Sequence, residues 1–388
     1  MRFHPRAAHW FGALGLGLAL AAPAHADHGI DFPQDHGVQA LFKARNLAAL
    51  DARMNAFQRS YEAGQLSELE LFATYRELYG ADHMPEATYD AWANAYPRSY
   101  PARLMRAVHY KIRARDAFDA VDEDDDSPEG DLYQQLAWAE LEASLKLTPK
   151  PLPTYVVAIG LPGGSPHKNA HRKLLDKGLA IAPESFVLRR RYMSWMGDYH
   201  EISKMTAFMR ESQGKGLTQP QMDVLQASIY TSQGRDALNH DDYAQAIKYY
   251  ALAVNTVGNN TELMEYGAAI KMANNLTFSY QEAKQFEHAV AAAEWALSIA
   301  GGNVDEAATA RAEHGFALMQ LGKTEPAVAD YEAAAQQGNA WAQNELGQLY
   351  LAGQYVQQDK ERAKTLFRQA ARQGMAVAKT NLARAERS

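Results

Sequence analysis

His25, His28 and His36 are interleaved with Asp27, Asp31 and Asp35, a grouping of imidazoles and carboxylates able to hold Zn²⁺ or Cu²⁺. They stand in a polar leader ahead of the first apolar periodicity, so the expectation is a solvated segment with adventitious metal affinity only. Asp122, Asp124 and Asp126 begin like a calcium loop. Ser127 stands where such a loop needs a glycine, and Tyr133 where it needs a bidentate glutamate, so the run reads as an acidic connection. Leu161-Pro-Gly-Gly-Ser-Pro-His167-Lys168 sets glycines before a helix start, where backbone amides cradle anions, but it lacks the phosphate-loop spacing and reads as a turn. His167 and His171 share a helix face without a third ligand at motif spacing. Hydrolase, zinc-protease and dinucleotide fingerprints are all missing from the sequence, and the carboxylates are scattered without a marked acid–base pair. The chain also has no cysteine, which removes thiolate metal sites, thiol nucleophiles and disulfides. These features predict a non-enzyme with no cofactor and no metal.

The elements that carry these residues are nearly all helical. Arg2 and Arg6 precede 13 apolar residues, Trp10 to Ala22, and then Pro23-Ala24-His25-Ala26. That is the layout of a cleavable signal peptide, with cleavage expected after Ala26 and a periplasmic or secreted destination. As a helix the run rises only about 20 Å, short of a ~30 Å hydrocarbon core. No later stretch approaches a membrane span. Loss of the two arginines takes the formal charge from −7 to −9, which gives no electrostatic reason to expect nucleic acid. Leu41, Leu47, Leu50, Met54, Phe57 and Tyr61 make an apolar stripe on one helix face. Ser67 opens the next helix and Gly80 closes it. Further helices are predicted over 86–95, 99–120, 129–147, 167–181, 184–196 and 198–212, with prolines at their boundaries. Thr154 to Ile159 alone reads as a possible strand, inside a long connection from Thr148 to Pro166. The fold class is all-α.

The second half repeats itself. Gly234, Ala246, Tyr250 and Ala253 are matched at the same offsets by Gly315, Ala327, Tyr331 and Ala334. Between them Thr277, Ala289, Ala293 and Ala296 keep the register. The spacing resembles the tetratricopeptide pattern, a helix–turn–helix whose small residues let two backbones approach while an aromatic fills the gap to the next unit. A fourth unit, Asn339 to Gly374, carries Ala340, Ala342, Leu346-Gly347, Tyr350, Gly353, Ala363, Phe367, Ala370-Ala371 and Gly374 in order, and resembles the Sel1-like subclass. Met375 to Leu382 looks like a polar cap. In the first half, Trp92, Tyr96-Pro97, Ala102 to Arg115 and Ala182 to Met193 resemble an uncharacterised bacterial helical domain family; Met196-Gly197-Asp198-Tyr199 departs from that family's Trp-Gly-Gly-Ser motif.

The tetratricopeptide resemblance implies a concave groove lined by the first helix of each pair, where extended peptides bind. Carried over place by place, it assigns Arg235 in the first unit and Lys271, Asn274 and Phe278 in the second. Phe316 and Met319 follow in the third, Trp341 and Asn344 in the fourth. Such basic, amide and aromatic groups suit a peptide backbone or carboxylate. The expected organisation is a signal peptide over 1–26, an N-terminal helical domain over 27–216 and tetratricopeptide/Sel1-like repeats over 217–388. The expected role is an exported adaptor for protein or peptide partners. The rival is an enzyme or ligand-binding protein with its pocket between Thr154 and His171.

Overall fold

The computed structural model describes residues 37–79, 84–121, 127–161, 170–265, 267–300 and 304–387. The signal-peptide segment, the N-terminal histidines, Gly80, Asp122 to Asp126 and the loop with His167 lie outside them. Among the described residues every regular element is helical.

The stripe expected on one helix is shared by two, α1 (Val38–Lys43) and α2 (Leu47–Glu62). Arg45 takes a left-handed φ of 54°, and Asn46 accepts a hydrogen bond from the Ala49 amide at 3.3 Å. An asparagine cap satisfies an orphan amide and starts a new helix within an otherwise continuous apolar pattern. α3 (Glu68–Tyr79) opens on a reciprocal box: Glu70 accepts from the Ser67 amide at 2.7 Å and Ser67 from the Glu70 amide at 3.2 Å. α4 (Glu86–Ala95) and the hairpin α5 (Tyr100–Asp119) and α6 (Pro128–Ser144) complete the first core, around Phe42, Tyr75 and Trp92. Arg103 and Arg106 of α5 clamp Glu140 of α6 at 3.1 and 2.6 Å. Ser127, which spoils the calcium loop, caps α6 by accepting from the Gly130 amide.

The possible strand is a helix, α7 (Leu152–Ile159). Thr154 donates through both its amide and its hydroxyl to the Tyr100 hydroxyl, at 3.2 and 3.0 Å, and contacts Ser144 at 2.8 Å. The described residues offer no strand for it to pair with, so burial on all sides settles a β-branched run as helix. α8 (His171–Ile181), α9 (Phe186–Asp198) and α10 (Ile202–Ser212) follow.

The repeats are the hairpins α11 (Gln219–Asn239) with α12 (Tyr243–Val257), α13 (Ala268–Glu282) with α14 (Phe286–Ile299), α15 (Val304–Gln320) with α16 (Thr324–Gln336) and α17 (Ala340–Ala352) with α18 (Lys360–Arg372). α19 (Ala376–Glu386) packs on α17 and α18. The glycines predicted to permit close approach do so. A Cβ on Gly234 would stand 2.9 Å from the Tyr250 ring, and one on Gly315 3.1 Å from the Ala327 carbonyl. Three hairpins turn alike: Asp241, Lys284 and Gly322 are left-handed, and the following amide reaches back five residues to Ala237, Tyr280 and Leu318. α9 and α10 are joined by the same turn, with His200 left-handed and the Glu201 amide on the Met196 carbonyl. One apolar core runs on from Leu152 to Ala317, beneath the α10–α11 connection.

Candidate groove on the first helices

Helices α9, α11, α13 and α15 pack in sequence against one another, as α17 does against α19, so the first members of successive hairpins share one face of the array. Seven of the eight residues assigned to that face fall into three groups, and Phe278 stands apart from them. Arg235 is a strap between helices: its guanidinium donates to the Gly197 carbonyl and pairs with Asp198 at 3.4 Å, tying α11 to the C-terminal end of α9. Lys271 and Asn274 form a second group with Glu306 of α15. Lys271 lies 3.5 Å from its carboxylate, while buried Asn274 donates to its carbonyl and carboxylate at 3.3 and 3.2 Å. Phe278 is half-buried and meets Tyr243 edge to face, with ring centres 6.4 Å apart.

Two members of the third group, Phe316 and Met319, line a cleft. Phe316 touches Trp341, ring centres 5.6 Å apart, and Trp341 meets Tyr331 at 6.4 Å. Beside them an open cleft of about 470 Å³ lies between α15, α17 and α19, lined by Phe316, Met319, Leu349, Glu345, Gln348 and Arg384 among others. Asn344 is buried under it, accepting from Asn381 at 2.8 Å and donating to Glu345 at 2.9 Å. Glu345, Gln348, Leu349 and Arg384 were not among the residues expected there. One signal for the acid was in the sequence: Glu345 stands two places before Gly347, as Glu313 does before Gly315.

Burial raises the pKa of Glu345, and the amides of Asn344 and Gln348 oppose the rise. Its counterpart Glu313 is pushed well above the usual carboxylate range by burial and then by Glu306, and its Oε2 has no hydrogen bond. The place on α14 equivalent to Tyr250 and Tyr331 is Ala293, so Glu313 meets no phenol there. In the next unit that neighbour exists, and burial followed by the Glu345 charge pushes the Tyr331 phenol upward.

In the first half, the described ends of the rival segment, Thr154 and His171, make contacts of their own. Thr154 is bonded as above. His171 stacks on Trp195 with ring centres 4.1 Å apart and meets the Leu161 carbonyl at 3.2 Å; burial lowers its pKa. Nearby, burial and then Arg191 push the Lys111 amine down to about 7. Arg191 itself pairs with Glu265 at 3.1 Å. The described residues contain no group of three or more potential metal ligands, and none of their helices is long and apolar enough to cross a membrane.

No protein-family model and no curated protein matches the chain. Among solved structures it is similar to human IFIT1, as a dimer with m7Gppp-AAAA, at 13% identity over 90% of this chain and 80% of that one, with a TM-score of 0.47. It is also similar to the APC/C hetero-tetramer Cut9–Hcn1, at 14% identity over 90% and 74%, TM-score 0.32. A Sel1 repeat protein from Oxalobacter formigenes matches at 19% identity over 75% and 91%, TM-score 0.29. Helices α11 to α18 form four helical hairpins in an all-α solenoid, and their spacing, order and close glycine contacts resemble the tetratricopeptide/Sel1-like pattern.

Proposed function

We propose that this chain is an exported, non-catalytic scaffold that holds an extended segment of a partner protein along its first-helix face. The observation that carries the reading is the cleft at α15–α17. There half-buried Phe316, Met319 and Leu349 offer apolar anchors in an open cleft, with the polar Glu345, Gln348 and Arg384 beside them. Export rests on Arg2, Arg6 and the apolar run to Ala22. No step of the role calls for a metal or cofactor, and the acidic balance of the chain disfavours a nucleic-acid partner.

The test is comparative capture from an envelope extract with the full mature chain and its Phe316→Ala variant. Proteins that the wild type retains and the variant loses support the groove. Identical retention by both, with the variant folded, contradicts it. Retention lost in Lys111→Met but kept in Phe316→Ala would move the site to the first half.

A further inference from the structure

The cleft at α15–α17 contains an acidic group prepared for a cation that the chain itself does not supply. Glu345 sits on α17 facing Tyr331, half-buried. Its Oε1 accepts from Asn344 Nδ2 at 2.9 Å and from Gln348 Nε2 at 3.0 Å. Its Oε2 accepts from no described residue, and none of the ion pairs among the described residues includes it. Arg384 lines the same cleft from α19 and is exposed, without reaching ion-pair distance. Two neutral amides therefore fix the carboxylate in direction without neutralising it. A half-buried carboxylate outside any ion pair is open to a partner cation, which makes a charge-assisted bond with it.

Glu313, the same place one repeat earlier, marks the difference. It is buried, at 9% exposure, and packed where no partner can arrive. At α15–α17 the same position opens on a cleft, where Phe316, Met319 and Leu349 flank it.

Resting on the groove reading above, we propose that this cleft recognises a peptide segment with an apolar anchor beside a single Lys or Arg, the anchor seated against Phe316 and Met319 and the cation bonded to Glu345. An acidic side chain at that place is repelled by Glu345. A second basic residue is disfavoured by Arg384 at the rim, so the charge pattern selects one cation rather than a basic run.

The experiment is selection from a phage-displayed library of random peptides, about twelve residues long, enough to cross the cleft when extended. It is run on the immobilised full mature chain, on Glu345→Gln and on Phe316→Ala, each checked for a cooperative thermal transition. Wild type is expected to enrich an aromatic or aliphatic residue next to one Lys or Arg. Glu345→Gln, which preserves shape, is expected to keep the apolar anchor and lose the basic preference. A peptide selected on wild type should bind it on the order of tenfold weaker or worse. Enrichment of basic residues on Glu345→Gln equal to wild type, or its absence on wild type, overturns the proposal. If Phe316→Ala selects the same peptides as wild type, the groove reading itself fails. If Phe316→Ala loses the anchor while Glu345→Gln changes nothing, the groove stands and only the cation is wrong. A folded wild type that selects no peptide contradicts both.

Discussion

Gly347 and Phe367 meet so closely that a Cβ on the glycine would lie 2.7 Å from the ring. The ring is fully buried, so it has no open side into which to retreat. The contact holds α17, which lines the cleft, against α18.

Gly347→Ala should therefore destabilise the chain, although alanine is the better helix former by about 1 kcal/mol. Overpacking of about 1–3 kcal/mol outweighs that gain. Urea unfolding checks the sign. Adding Phe367→Leu to Gly347→Ala should recover part of the loss, because the two substitutions act on one contact.

Glu313 gives a pH signature. Its folded-state pKa is raised above 4.5 by burial and by Glu306. Below pH 4.5 both folded and unfolded chains hold the proton, and the residue costs nothing. As pH rises the unfolded chain ionises first, so stability falls, at up to about 1.4 kcal/mol per pH unit. Glu313→Gln removes that slope. Melting temperatures of the two proteins should coincide near pH 4 and diverge toward pH 7, with the variant the more stable.

Lys111 acts in a different window. Its pKa of about 7 lies below the unfolded value of 10.5. Between those values the unfolded chain binds the proton more tightly, so stability rises with pH across that range and the full penalty is present below about pH 7. Lys111→Met should be more stable than wild type at pH 7 and equal to it near pH 11, by urea unfolding at each pH.

The repeat was legible because its rule is local: small residues twelve and nineteen places after a glycine, with an aromatic at sixteen, are readable without a fold. The α9–α10 hairpin shares the turn and hid from the same reading. It carries Met193, Met205 and Met209 at the corresponding places and a left-handed His200 where a glycine would have announced the bend. The β-branched pair Val156-Val157 argued for a strand because a short apolar run has no period of its own; burial against other helices, with Thr154 bonded to Tyr100 of α5, accompanies a helix there. The groove was legible as a face and not as a site. Position in the repeat placed Arg235, Asn274 and Asn344 on the first helices. Their partners, Gly197, Glu306 and Asn381, stand more than thirty residues away, so nothing local showed that these polar groups were already engaged. Glu345 escaped for the converse reason: an acid on a helix looks solvated until the cleft around it is seen.

The most direct test of the scaffold reading is site-specific photo-crosslinking in living cells that make the protein. A benzophenone amino acid replaces Met319 in the cleft or, as a control, Leu252, which is exposed on the second-helix side. The groove predicts a discrete higher-mass adduct from position 319, none from 252, and loss of the adduct when Phe316→Ala is added. Adducts of equal yield from both positions, or from 252 alone, would contradict it.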